Sequence, residues 1–159
     1  MPPDTTPQVA FISGPIDTGP NAEFFHTHYT PRINAAIAAD HTFVIGPILS
    51  GVDADALYYL LDYPIAPSRT TIFMTIGEDR AWGTEFRRRG VNVFVLEDLT
   101  ATTGNRDAAM TEASTYDILR WRTEDEARAL YGAGYRPGHV SNTERNWKRR
   151  GHSETKPDR

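Results

Sequence analysis

The chain has 159 residues, a formal net charge of −4, 39% hydrophobic residues and no cysteine. Its length suits one domain and its apolar share suffices for a core, which excludes wholesale disorder. The lack of cysteine rules out disulfides, thiolate catalysis and cysteine-ligated metal, and fits a reducing compartment.

The opening MPPDTTPQ has neither the basic start nor the apolar run of a signal peptide. No apolar run nears the roughly 18 residues of a membrane span. A soluble, cytoplasmic protein without membrane contact is expected. Residues 1–7 are expected to be disordered, residues 8–132 to form the folded domain, and residues 133–159 to form a basic, mostly irregular tail. That tail holds seven Lys/Arg against three acids, leaving ten basic and eighteen acidic residues, −8, in the body. Such a tail could touch nucleic acid, but a solvated tail, or one lying on a neighbouring subunit, is the preferred reading.

In chain order, residues 8–13 read as a buried first strand stopping at Gly14 and Pro15. A loop follows, with Asn21 placed to cap a helix. From Ala22 to Ala39, the residues Phe25, Tyr29, Ile33, Ala36 and Ile37 share one helical face. Pro31 interrupts that helix, because it lacks an N–H and crowds the Thr27 carbonyl. Thr30 and Pro31 alternatively open a second helical piece. Residues 41–45 are a second strand. Asp53 can cap the next helix, which buries Ala56, Leu57, Leu60 and Leu61 and is closed by Pro64 and Pro67. Residues 69–76 and 91–96 are the third and fourth strands, with a short helix anchored by Trp82 and Phe86 between them. A helix over 105–114 leads to a fifth strand over 116–121. Thr123 and Glu126 form a capping box for a last helix, with Ala127, Leu130 and Tyr131 facing inward.

Strands alternating with helices predict an α/β fold: a Rossmann-like, doubly wound, mostly parallel five-stranded sheet with helices on both faces. Ligands of such sheets sit outside the carboxyl ends of the strands. Here those ends carry the loops richest in Gly, Ser and Asp. The loop Gly46-Pro47-Ile48-Leu49-Ser50-Gly51 joins a strand to a helix, and glycines before a helix N-terminus can cradle an anion. The loop is neither a Walker loop nor GxGxxG, so from the residues alone it either cradles a phosphate or simply turns the chain.

The arrangement Gly46 to Gly51, then Val52-Asp53 and Ala56, resembles the second loop of the SLOG superfamily. These are Rossmann-like nucleotide-binding domains, found in bacterial DNA-processing proteins and in cytokinin-activating phosphoribohydrolases. Gly46, Ser50, Gly51, Asp53 and Ala56 stand at the matching positions. Ser13, Gly14 and Pro15 resemble the family's first nucleotide loop, and residues 105–119 its Arg-x-x-x-Met segment. The resemblance implies a nucleotide or nucleotide-derived ligand across the Gly14 and Gly46–Gly51 loops, with Arg106 as a phosphate contact and Asp17 or Asp53 on the ribose. It also implies that Gly51→Val abolishes binding in a folded protein. The Pro-Gly-Gly-x-Gly-Thr-x-x-Glu motif of the phosphoribohydrolases has no counterpart in residues 120–132.

The opening FISGPID followed by a helix is also similar to nucleoside deoxyribosyltransferases and related N-glycosidases. That resemblance implies an enzyme acting on nucleosides or nucleoside monophosphates. Glu85 would be the carboxylate nucleophile and Asp79 its acidic neighbour. Glu78, Asp79 and Glu85 are otherwise solvated charges facing Arg80 and Arg87 to Arg89. No cofactor and no metal are expected. His26 and His28, two apart on a helix, point to nearly opposite sides, and no Gly-x-Ser-x-Gly elbow exists. Tyr58, Tyr59, Tyr63 and Trp82 pack or stack on a base, and Asp17 caps a loop or binds sugar hydroxyls. Arg87 to Arg89 complement a helix dipole. Family resemblance and Trp147 in the tail point to a homo-oligomer.

Overall fold

The computed structural model describes residues 6–63 and 65–151. Most of the segment expected to be disordered, and Pro64, lie outside the described residues.

Five parallel strands, β1 (Val9–Ser13), β2 (Thr42–Ile45), β3 (Thr70–Met74), β4 (Asn92–Val95) and β5 (Tyr116–Leu119), form one sheet in the order β4-β3-β2-β1-β5. The pairing register aligns Ile118, Ile12, Ile45, Ile72 and Val93 in one row across all five strands. Branched side chains at matched heights suit a pleated face, and four of the five are almost fully buried.

Strand alternation sends Ala10, Ile12, Phe43, Ile45, Ile72, Met74 and Ile118 to that face. There they meet α1 (Glu23–His28), α2 (Thr30–Ala38), α3 (Val52–Asp62) and Phe86 of α5 (Thr84–Arg88). Phe11, Val44 and Phe73 point the other way, under Met110 of α6 (Thr103–Ala113). The geometry of right-handed crossovers explains this division. The first three connections each step one strand in the same direction and share a face. The β4-to-β5 connection steps back past β1, so α6 lies on the opposite face. The fold is therefore Rossmann-like α/β, with its winding reversed between β1 and β5.

The expected apolar face from Phe25 to Ile37 is buried, and the helix breaks at Tyr29 ahead of Pro31. Asn21 does not cap α1; it has φ 55° inside a 3₁₀ turn, and the helix is entered from Ala22. The N-cap of α3 is Gly51, with Asp53 and Asp55 in the first turn. Thr123 and Glu126 do form the capping box of α7 (Glu124–Tyr131), yet no residue of that helix is buried, and Leu130 and Tyr131 are exposed. The reason is position: α7 lies beyond the carboxyl edge, with no sheet face left to cover.

The tail is also more regular than expected, because α8 (Asn142–Arg149) forms within it. Ser141 caps α8 by accepting the Glu144 N–H, and Trp147 packs against Trp121 beside Leu119, the two rings 5.4 Å apart and tilted by 59°. Arg150 locks the helix down, bonding the Asp117 carboxylate, the Thr111 and Ser114 carbonyls and the Ser114 hydroxyl. On the outer edge of β5, Arg32 donates to the Asp117 and Leu119 carbonyls at 3.0 and 2.9 Å. Among the described residues no helix is long and apolar enough to cross a membrane.

Candidate functional site

A doubly wound sheet offers its ligand crevice where the winding reverses, here between β1 and β5. Tyr29 fills it. The tyrosine is fully buried, and its hydroxyl donates to the Ser13 carbonyl at 2.7 Å and accepts the Arg120 N–H at 2.9 Å. Burial raises the phenol pKa well above its ordinary value, so it stays neutral and serves as a bolt between two strand ends.

The two glycine loops pack on each other. A Cβ on Gly14 would stand 2.3 Å from the Tyr29 hydroxyl and 2.5 Å from Val52 Cγ2. One on Gly51, whose φ is +73°, would stand 2.3 to 2.4 Å from the Pro15 and Ile16 backbone. The Val52 N–H, at the start of α3, is spent on the Pro15 carbonyl at 3.0 Å. Thr18 ties the first loop to α3 through Asp55 at 2.7 Å. Asp17 closes a local turn by accepting the Gly19 N–H at 2.9 Å, the loop-capping alternative of its two readings. Close approach of the Tyr29 and Val52 side chains thus accounts for Gly14, and of the Pro15–Ile16 main chain for Gly51, and Ser50 is exposed at the loop tip.

A cavity of ≈ 180 Å³ opens farther along the edge, beyond β2 and β3. It is lined by Gly46, Ile48, Leu49, Asp53, Ala54, Leu57 and Tyr58 on one side, and by Trp82, Glu85, Phe86 and Arg89 on the other. The second wall is one helical stretch: α4 (Ile76–Glu78), a π-turn over Asp79–Gly83, and α5. Widened turns of this kind occur often at functional sites. At Gly83 a Cβ would displace the Asp79 carboxylate, which pairs with Arg87 at 2.7 Å. Asp79, expected beside a nucleophile, therefore braces the π-turn and does not line the cavity. Glu85 does line it, within 3.4 Å of Arg89, whose guanidinium lies over the rings of Tyr58 (5.4 Å) and Phe86 (5.9 Å).

Behind the cavity lies an acid-rich cluster. Glu78 is fixed by the capping box it forms with Thr75. Its other oxygen takes Arg106, which also bonds Asp107 at 3.2 and 3.3 Å. With 5% exposure and its donors on two carboxylates, Arg106 is a clamp between the β3 loop and α6, not a free phosphate contact. Asp53 adds a third carboxyl. Some of its surface is exposed, but the carboxyl is turned inward, 2.6 Å from where a Gly46 Cβ would lie. Burial chiefly, with Asp107 and Glu78 adding to it, pushes the Asp53 pKa up to about 7, against the pull of Arg106 and the Ile48 amide. Asp107 is likewise shifted upward by burial, against Arg106. Asp53 thus stands on the cavity wall as a carboxyl group that can hold or release a proton near neutrality.

The structure gathers Gly46, Asp53 and Glu85 into one cavity. Ser13, Gly14, Pro15, Asp17, Ser50, Gly51, Asp79 and Arg106 lie outside its lining. Sequence reasoning missed Arg89 as a site residue: its run of three arginines is explained by the helix end, and nothing local marks the one that turns toward Tyr58. His26 reaches Thr30 at 3.4 Å, and His28 meets Phe24 edge-on. No family model matches the chain, and no curated protein and no solved structure matches it. Fold and site together define a Rossmann-like α/β protein with a small aromatic and carboxylate-lined cavity at the carboxyl ends of β2 and β3.

Proposed function

We propose that the protein binds a nucleoside or a nucleotide-derived small molecule in this cavity. One observation carries the reading: Gly46 of the second glycine loop, three aromatic side chains, two carboxyls and one guanidinium converge on a single hollow. Tyr58 and Trp82 are exposed rings able to stack on a base. Glu85, open at the rim, matches sugar hydroxyls, the inward Asp53 carboxyl matches a polar edge of the base, and Arg89 matches an acceptor or an anion. At ≈ 180 Å³ the hollow is below the roughly 300–1,000 Å³ of pockets that engulf a ligand. It takes the base, leaving the sugar at the rim. The SLOG resemblance of residues 46–56 supports this reading, with the ligand displaced toward Trp82 from the Gly14 loop. Titration with nucleosides and nucleoside monophosphates, followed by Trp82 fluorescence and melting temperature, tests it. Saturable quenching absent from Trp82→Phe is the expected result; no response to any of the panel sinks it.

The two carboxyls favour a second reading, cleavage or transfer of an N-glycosidic bond. An oxygen of Glu85 would attack the anomeric carbon as the bond to the base breaks. The bonding electrons leave with the base, which takes a proton from Asp53, and water or an acceptor then releases the sugar. Free base that appears with the native protein and not with Glu85→Gln or Asp53→Asn supports this reading. Binding without base release leaves the protein a binding module.

A further inference from the structure

Three basic side chains surround one ring at the opposite end of the sheet's carboxyl edge. The guanidinium of Arg122 lies 4.5 Å from the centre of the Phe24 ring and that of Arg120 5.2 Å, while the His28 ring is at 4.7 Å. One carboxylate stands against them. Glu126 takes both Nη groups of Arg120, at 3.2 and 2.9 Å. No salt bridge among the described residues reaches Arg122; it donates instead to the main-chain oxygen of Asp17 at 2.5 Å. The Asp17 carboxylate is turned onto its own loop.

Two donors here, Arg120 Nε and Arg122 Nη1, are buried without an acceptor, and Arg120 is 8% exposed. Enclosed cationic donors cost stability unless a partner recovers it. The surplus charge is felt by His28, whose pKa is lowered by burial first and then by Arg120, despite Glu126. The location is the reversal of winding, where doubly wound sheets hold ligands. Tyr29 fills the crevice itself, so a ligand there rests on the rim, where Arg122 keeps part of its surface open. The Arg120 fork is held by Glu126 and one Arg122 Nη by Asp17, so the donors left for a tetrahedral oxyanion are Arg120 Nε, Arg122 Nη1 and the His28 imidazole.

We propose that Arg122 and Arg120, with His28, form a phosphate-binding subsite centred on Phe24, separate from the cavity beside Trp82. Its ligand is inorganic phosphate or a phosphomonoester.

Calorimetric titration of the full chain with inorganic phosphate, and in a second arm with glycerol phosphate at the same ionic strength, tests the subsite. Saturable binding is expected in at least one arm, weakened about tenfold or more in Arg122→Met, which keeps an apolar stem over Phe24. Equal affinity in the two arms means that free phosphate suffices, and tighter binding of the ester assigns an esterified ligand; both uphold the subsite. In the unsubstituted protein the Nε–H resonances of Arg120 and Arg122 should move during the titration, a readout that needs no variant. Unchanged affinity in Arg122→Met, or resonances that stay in place, overturns the proposal. The fluorescence response of Trp82 to nucleosides is unaffected by Arg122→Met, so failure of one site is read separately from failure of the other.

Discussion

Between β1 and β5 the Tyr29 hydroxyl joins the Ser13 carbonyl to the Arg120 amide, whereas beyond β2 and β3 the Asp53 and Glu85 side chains border a hollow. Both places lie on the same edge of the same sheet, and the general rule favours the first. The difference comes from the helices. A residue on the α1–α2 side is long enough to reach the reversal and bring a hydroxyl there, satisfying strand-end groups that would otherwise bind a ligand. The π-turn between α4 and α5 instead directs Trp82 and Glu85 over the β2 loop and leaves a space. A winding reversal makes a crevice; the side chain above it decides whether the crevice is a site.

Gly51→Val should have the largest effect. The backbone has φ +73° and no room against Pro15 and Ile16, so strain and overpacking together should cost roughly 3–5 kcal/mol. A large fall in the urea midpoint is the expected outcome. Loss of binding in a fully stable protein would instead return this glycine to the ligand.

Asp53 sharpens the other side. Its carboxyl has an ordinary pKa of 3.8 and one of about 7 in the folded protein. Between those values the folded chain keeps a proton that the unfolded chain has released. Stability therefore falls as pH rises through that window and levels off above it, a loss on the order of 2–4 kcal/mol. Urea unfolding from about pH 4 to about pH 8 should show that slope in the native protein and a flatter one in Asp53→Asn.

Tyr29→Phe should cost about 2 kcal/mol by stranding the Ser13 carbonyl and the Arg120 amide, while nucleoside titration at Trp82 stays unchanged. Altered titration would show the plug and the cavity to be coupled. Trp82→Ala has the smallest effect on the fold, within about 0.5 kcal/mol for a partly exposed side chain. It should weaken nucleoside binding about tenfold by calorimetry, the value of one lost stacking contact.

Sequence pattern revealed most of the fold because the signals are local. Short apolar, β-branched runs mark the strands, the Phe25 to Ile37 face marks the paired helices, and Thr123 with Glu126 marks a cap. Features set by distant partners were hidden. The resemblance makes Arg106 a phosphate contact until Glu78, 28 residues away, is brought to it. Gly14 and Gly51 resemble ligand glycines because close approach to a phosphate and to other protein atoms make the same demand. Helix α8 did carry a signal, Ser141 three residues before Glu144, but a hydrophilic composition masked it. Its one large apolar anchor, Trp147, finds its place only against Trp121 and Leu119. The strand order, and with it the position of the reversal, depends on which face each crossover takes, and no short window of residues encodes that.

Arg32 has a consequence for self-association. By occupying the outward carbonyls of Asp117 and Leu119, it denies a neighbour's strand its acceptors on the β5 margin. Strand addition is then confined to the β4 margin. Two molecules joined there would close a pair that presents only its two Arg32-guarded β5 margins to further copies.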